Sequence, residues 1–222
     1  MAADYLKSII MGALTALDEA GAIVKVLVCD QGVNNSSMFT KLGIKPSTPY
    51  FHFNGRKIYG MYDPPHLLKN LRRSLMKYDL ETNKGTISFD YIKNFYLLDQ
   101  KNPVQCAPKL TDKHIFTEGM NLMKVSLAAQ VFSSSVAAGM YMCVSGNLLE
   151  PAAVTTAKFV EQINNLFDSV NGIRSKPFGK KIYHCAASKD SKRVEFWQEM
   201  VQFIVSWKFV EKIRGVMLLC EE

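Results

Sequence analysis

Apolar positions in the first third of the chain switch between helical spacing and strand spacing. Seven of them recur at helical intervals before Gly21, which is typical of a helix end: Tyr5, Leu6, Ile9, Ile10, Ala13, Leu14 and Leu17. A short apolar run at 23–29, which includes Lys25, then predicts a strand buried on both faces. The run ends at Asp30 and a Gly32 turn, where open α/β sheets place their active sites. Asp30 is therefore the first candidate for chemistry.

The next segments predict a short helix, a hairpin and a longer helix. The short helix ends at Gly43 and has three candidate N-caps: Asn34, Asn35 and Ser36. An Asn-Gly pair at 54–55 separates two β-rich runs, which is a strong hairpin signal. Asp63 then precedes two prolines, a pattern that favours a helix start with Asp63 as its N-cap.

Strand signals fade from about residue 80, and helical spacing predominates. Helices are predicted at 89–98, 117–143, 151–167 and 193–209, with a basic loop at 175–191. The stretch 125–149 has no charged residue but contains seven serine, asparagine and glutamine side chains, which favours a buried helix over a membrane span. The fold class is therefore α/β in the first 65 to 80 residues and mainly α afterwards.

Composition limits the class of protein. The 222 residues are 48% hydrophobic and 21% charged, typical of a globular chain, and the net charge of +7 mildly favours polyanionic partners. Five scattered cysteines without a CxxC pair predict neither a disulfide framework nor a zinc site, and a reducing compartment fits them. The sequence lacks a GxxxxGK[ST] loop, which excludes Walker-type phosphate binding.

Five blocks, in order and at similar spacing, resemble the P element transposase family and its THAP-domain relatives. They are VCDQG at 28–32 with NN at 34–35, DPPHLLKNLR at 63–72, APKLTDKHI at 107–115, MKVSLAAQVFS at 123–133 and LFDSVN at 166–171. The resemblance covers nearly the whole chain. It implies a partial RNase H-like catalytic domain at 1–70, interrupted by a helical GTP-binding insertion domain at 71–222 that is incomplete at its C-terminus.

The resemblance also implies a role for Asp30. It matches the second of three acids that bind Mg²⁺ in the family, the first lying before Met1 and the third, a glutamate, beyond Glu222. Two-metal phosphoryl transfer needs carboxylates from several elements, so one acid alone would bind Mg²⁺ weakly. The alternative is that Asp30 caps the 34–37 turn, and Asp63 competes with it for the catalytic role.

A guanine-nucleotide site is implied by the same resemblance. Its candidate residues are Lys109, Lys124, Val125, Phe167, Asp168 and Asn171. The Asp168 carboxylate can accept from the guanine ring N–H and the exocyclic amine together, Phe167 can stack on the base, and the lysines can attract phosphates. The alternative is that Phe167 belongs to the core, Asp168 is a polar residue at a helix end, and both lysines are solvated.

Basic residues make DNA the expected macromolecular partner. They are Arg56, Lys57, Lys69, Arg72, Arg73, Lys77, Lys176, Lys180, Lys181, Lys189, Lys192 and Arg193. Such side chains neutralise phosphates without reading sequence, although a solvated surface is the alternative. Trp197 and Trp207 are predicted to be core residues rather than base-stacking platforms.

The resulting hypothesis is a fragment or domesticated remnant of a P element-like DNA transposase that carries one acid of the metal site and a GTP-binding module. Its expected cofactors are GTP and, in the intact family member, Mg²⁺. The expected macromolecular partner is DNA, and the chain is expected to form a homo-oligomer. We expect it to be nuclear and not to associate with a membrane. The alternative is a non-enzymatic regulator that binds GTP or DNA, and a third option is a chain that does not fold alone because the 23–29 strand exposes an edge and an apolar face.

Overall fold

The computed structural model describes residues 3–117, 119–172, 183–186 and 193–212. Contacts within the chain divide it into two compact units, Met1–Leu67 and Leu68–Glu222. Each unit has its own sheet and its own hydrophobic core. The predicted basic loop at 175–191 lies almost entirely outside the described residues.

The first unit places two helices beside a three-stranded sheet. Its elements are α1 (Ala3–Glu19), β1 (Val26–Cys29), α2 (Val33–Lys41), β2 (Tyr50–Phe53) and β3 (Arg56–Tyr62). The strand order is β1-β3-β2, with β1 parallel and β2 antiparallel to β3. The carboxyl ends of β1 and β3 therefore meet at one edge of the sheet.

The predicted hairpin is confirmed. Asn54 and Gly55 both have positive φ, 46° and 74°, as a two-residue turn between strands of right-handed twist requires, and Phe53 pairs with Arg56. The prediction that β1 is buried on both faces was wrong, because Val26 and Val28 on one face are 45% and 51% exposed. The same face is exposed on the central strand β3, where Tyr59 and Met61 pair with Val26 and Val28 and are 47% and 39% exposed.

The predicted N-caps of α2 were also wrong. The N-cap is Gly32, two residues before the first candidate, and it makes no side-chain cap bond, so the helix begins at Val33. The predicted end is confirmed, since Gly43 has a φ of +82° directly after the last turn.

The second unit contains most of the helices and a second three-stranded sheet. Its elements are α3 (Pro64–Lys77, which contains the division), β4 (Tyr78–Thr82), β5 (Gly85–Ile87), α4 (Phe89–Asp99), α5 (Asp112–Ile115), a 3₁₀ turn (Gly119–Met123), α6 (Val125–Val131), α7 (Ser134–Ser145), α8 (Ala153–Val170), α9 (Arg193–Val205) and β6 (Lys208–Glu211). The sheet order is β5-β4-β6, with both pairings antiparallel. The prediction that strands end near residue 80 was therefore wrong.

Helices α4, α7 and α8 form the centre of the second core. Phe95, Met140 and Val160 are fully buried there. Gly139 allows close packing, because a Cβ at this position would lie 2.5 Å from Cζ of Phe95. Trp207 packs on this core with its ring centroid 5.6 Å from that of Phe159, so the prediction for Trp207 is confirmed.

The uncharged stretch forms two helices rather than one. α6 ends at Val131 with Phe132 as its C-cap, and the Ser133 hydroxyl accepts a hydrogen bond from the backbone N–H of Val136 to start α7. The predicted single helix at 117–143 was therefore wrong. By length and composition Val125–Ser145 is long and apolar enough to cross a membrane, but half of this stretch is buried within the fold.

Candidate functional site

Asp30 lies at the end of β1 and is held by its neighbours. Its Oδ1 accepts hydrogen bonds from the backbone N–H of Gly32 at 2.8 Å and from the side-chain amide of Asn35 at 2.6 Å. Burial, and then the adjacent carboxylate, raises the pKa of the Cys29 thiol. The structural alternative for Asp30, a side chain that organises the following turn, is therefore present in the fold.

Asp63 lies at the same sheet edge as Asp30. Its backbone N–H donates to the Cys29 carbonyl at 2.8 Å, a consequence of the parallel pairing of β1 and β3. The Asp63 carboxylate accepts from the backbone N–H of His66 at 3.3 Å and also contacts the ring Nδ1 of His66. The prediction that Asp63 is the N-cap of α3 is confirmed.

These acids do not form a metal site among the described residues. No group of three or more His, Cys, Asp or Glu side chains in that part of the chain is placed to hold a metal ion. The oxygen-rich set that Mg²⁺ requires is therefore not assembled by the residues that the structure describes.

Lys109 projects from a turn that is anchored on a buried acid. Asp99 is 2% exposed, and its two carboxylate oxygens accept from the backbone N–H groups of Cys106 at 2.8 Å and Ala107 at 3.0 Å. These two hydrogen bonds hold the loop against the end of α4. Lys109, two residues further on, is exposed.

Lys124 and Val125 lie together at the start of α6. Lys124 is the exposed N-cap residue, its backbone is extended, and its backbone N–H donates to the carbonyl of Asn121 at 3.3 Å. Val125 is the first helical residue and is partly buried.

A buried histidine joins the Lys109 segment to α6. His114, 3% exposed, accepts at Nδ1 from the backbone N–H of Thr111 at 3.0 Å, and its Nε2 contacts Oε1 of Gln130 on α6. Because Nδ1 accepts, Nε2 carries the proton and donates to the glutamine oxygen. This bond connects the two segments that carry Lys109 and Lys124.

The remaining candidates lie at the C-terminal end of α8. Asp168 is 8% exposed, Phe167 is partly buried against the core, and Asn171 is the exposed C-cap residue. The Ser169 hydroxyl donates to the Leu166 carbonyl at 2.7 Å and accepts from the Trp197 indole N–H at 2.9 Å. Through Trp197, α9 therefore contacts the turn that carries Asp168.

The six nucleotide-site candidates thus fall into two groups within the second unit. One group comprises Lys109, Lys124 and Val125, joined through His114 and Gln130. The other is the end of α8. The two groups are built on one core, since Phe132 at the end of α6 lies 6.1 Å from Phe159 of α8, measured between ring centroids.

Sequence reasoning missed the residues that hold these groups, and it misassigned several cations. Lys69, Arg72 and Arg193 were predicted to contact DNA, but they are 8%, 0% and 3% exposed. Arg56 forms an ion pair with Asp18. Of the predicted cations on described elements, Lys57, Arg73 and Lys77 are exposed, and the ammonium groups of Lys57 and Lys77 lie over the rings of Tyr50 and Tyr78. The predicted cations between 176 and 192 lie outside the described residues.

Comparison with known proteins identifies the family. Residues 65–185 match the family described as TNP-like, GTP-binding insertion domain. That match covers more than half of the 222 residues, and the chain belongs to this family.

Two relatives agree with this assignment. The chain is 29% identical over 180 residues to the Transposable element P transposase of Drosophila melanogaster, an alignment that covers 76% of this chain and 24% of the relative. It is also similar to a chain of the solved Drosophila P element transposase strand transfer complex, with a TM-score of 0.82, 25% identity, and coverage of 97% of this chain and 48% of that one. This chain therefore spans about a quarter of the curated relative and about half of the solved chain.

Proposed function

We propose that this chain is the GTP-binding part of a P element-like DNA transposase, or of a domesticated derivative, and that it binds GTP at the end of α8. In this proposal GTP organises a protein–DNA assembly and is not a fuel. The single observation that carries the proposal is the match of residues 65–185 to a GTP-binding insertion domain, because that segment contains every candidate nucleotide residue.

The position of Asp168 supports a role in ligand binding. An acid in the last turn of a helix faces the negative end of the helix dipole, so local electrostatics disfavours it there. Asp168 is nevertheless 8% exposed at that end. A residue that breaks a local rule in this way is typical of a functional site.

Guanine fits the donors and acceptors that these residues provide. The Asp168 carboxylate would accept from the ring N–H and the exocyclic amine, a donor pair that adenine lacks. Phe167 would pack against the base, and Asn171 would add a polar contact to the base or the ribose. Lys109, Lys124 and the backbone of Val125 would face the phosphates.

The role of Asp30 in the parent activity belongs to the same proposal. The first unit would be part of an RNase H-like catalytic domain, with Asp30 as one of its Mg²⁺-binding acids and a catalytic residue. DNA would contact the exposed cations of the chain, as phosphate neutralisation requires. We place the protein in the nucleus, as a possible partner of further copies of itself.

A second candidate function is a non-enzymatic regulator that binds GTP or DNA. The observation that favours it is the state of Asp30, whose carboxylate is engaged by Gly32 and Asn35 and is not clustered with other metal ligands among the described residues. On either candidate, the isolated chain is expected not to cut or join DNA. A magnesium-dependent strand-transfer activity of the purified chain would refute this expectation.

The test is calorimetric titration of the full chain with GTP and with ATP. We expect GTP to bind selectively, and Asp168→Ala and Lys109→Ala to weaken binding by roughly 10-fold to 100-fold each, the range for a lost hydrogen bond to a charged group. Glu161→Gln on the same helix and Lys101→Ala in the neighbouring loop are matched controls, because both side chains are exposed.

The controls separate site effects from general charge effects. Both control variants should bind GTP as the wild type does. Absence of GTP binding by a chain with a cooperative unfolding transition would refute the nucleotide site. Equal binding of ATP and GTP would refute the assigned role of Asp168.

A further inference from the structure

An arginine lies within the apolar stripe of α3. Leu68, Arg72 and Leu75 follow the i, i+4, i+7 spacing of one helix face, and all three are buried. Among the described residues, Arg72 is the largest side chain that is fully buried, at 0% exposure. A guanidinium in such a position is unusual, because arginine is rarely buried unless it is paired.

The Arg72 guanidinium is only partly satisfied. Its Nη2 donates to the backbone carbonyl of Asn121 at 2.8 Å. Within the described residues, Nε and Nη1 have no hydrogen-bond partner, and no carboxylate forms an ion pair with this arginine. Burial lowers the pKa of Arg72, as expected for a cation held away from water.

The contacted carbonyl controls the start of α6. Asn121 lies in the 3₁₀ turn Gly119–Met123, and its carbonyl accepts both from Arg72 and from the backbone N–H of Lys124. The Lys124 carbonyl in turn accepts from the N–H of Ala128 at 3.4 Å, within the first turn of α6. One buried charge therefore fixes the turn that sets the backbone of Lys124 and Val125.

We propose that Arg72 is a positioning residue for the phosphate-facing side of the nucleotide site. It acts through the Asn121 carbonyl and does not touch the ligand. The inference rests on the proposed function, because it assigns Arg72 to the same GTP site. It replaces the prediction that Arg72 contacts DNA, which its burial excludes.

A role in stability alone does not account for this arrangement. A buried charge with missing partners is costly to a fold, and replacing such a group by an apolar side chain of similar shape is often neutral or stabilising. Retention of the charge at the base of a candidate phosphate site is instead consistent with a requirement of binding. Stability and affinity should therefore respond differently when the charge is removed.

The experiment compares Arg72→Met and Arg72→Lys with the matched control Arg73→Met in the full chain. Arg73 is the exposed neighbour on the same helix. We expect Arg72→Met to weaken GTP binding by about 10-fold in calorimetry and Arg72→Lys to recover part of the loss, because lysine retains a charged donor. Arg73→Met should change the affinity by less than about twofold.

Two further readouts separate positioning from a structural role. Arg72→Met should leave the urea midpoint of unfolding unchanged or raise it. In the absence of nucleotide it should also speed hydrogen exchange of the Lys124 and Ala128 amides. A parallel loss of stability and affinity, or wild-type affinity in Arg72→Met, would overturn the proposal while leaving the GTP site intact. A wild-type chain that binds no GTP would overturn the proposed function itself, and the role of Arg72 with it.

Discussion

The bond between His114 and Gln130 provides a direct test of how the lysine segments are held together. We expect Gln130→Met to destabilise the second unit, because methionine has a similar length but offers no oxygen to accept the His114 proton. His114 is 3% exposed, so water has little access to replace the lost acceptor. Since the opposite nitrogen accepts from Thr111, the ring has no alternative tautomer that preserves both bonds.

The magnitude follows from the burial of the donor. A buried donor left without an acceptor costs about 1–3 kcal/mol. A loss of about 2 kcal/mol in a domain of this size lowers Tm by about 4–8 °C. Gln130→Glu retains an acceptor and should remain within about 1 kcal/mol of the wild type.

Tryptophan fluorescence during urea denaturation is the appropriate assay. The chain has two tryptophans, Trp197 and Trp207, and both belong to the second unit, so the signal reports on that unit alone. Gln198→Met is the control, because Gln198 is exposed on α9. If Gln130→Met and Gln198→Met unfold at the same urea concentration, the reasoning about His114 is refuted.

Two further predictions concern alkaline pH and packing in the first unit. Burial, and then the nearby Glu161 carboxylate, raises the pKa of Tyr141 to about 12, so its contribution to stability is fully present below pH of about 10 and is lost as the pH rises towards 12. Tyr141→Phe should therefore reduce the loss of stability over that pH range in urea titrations, and an unchanged slope would contradict this. A Cβ at Gly60 would lie 2.6 Å from the flexible Cδ1 end of Ile44 and 3.3 Å from Cζ of the buried Phe39, so Gly60→Ala should destabilise the first unit by about 1 kcal/mol. Gly12→Ala on α1 meets no atom within 4 Å and should stabilise the unit by about 0.5–1 kcal/mol. Hydrogen exchange of the Tyr59 and Asp63 amides measures both changes, and equal protection in the two variants would disprove the packing argument.

The sequence predicted local features well where one short signal determines the backbone. The Asn54-Gly55 hairpin, the end of α2 at Gly43 and the Asp63 N-cap each depend on residues within a few positions of one another. Such turns and caps need no information about distant parts of the chain. These turns and caps could therefore be predicted from the sequence alone.

Features that depend on distant partners were missed. β4 pairs with β6, which lies about 130 residues later, and the two strands are only 5 and 4 residues long. No local pattern specifies such a pairing. The break between α6 and α7 was missed because apolar spacing continues across Phe132 and Ser133, although the serine is itself an N-cap signal.

The candidate site shows the same division. The family blocks located Lys109, Lys124 and Asp168, but they did not show what holds these residues in place. Arg72 was interpreted as a surface cation because basic residues surround it in the sequence. Its spacing from Leu68 and Leu75 placed it on the buried face, and that signal outweighs composition.

The central claim is that the Asp168 carboxylate recognises the guanine base. A substitution that switches the preferred base from guanine to xanthine tests this claim most directly. Xanthine carries a carbonyl oxygen where guanine carries the exocyclic amine, so an asparagine at this position can donate to it. We predict that the wild-type chain prefers GTP to xanthosine triphosphate in calorimetry and that Asp168→Asn reverses the preference. If Asp168→Asn binds the two nucleotides with the same ratio of affinities as the wild type, Asp168 does not contact the base and the assignment of the site is wrong.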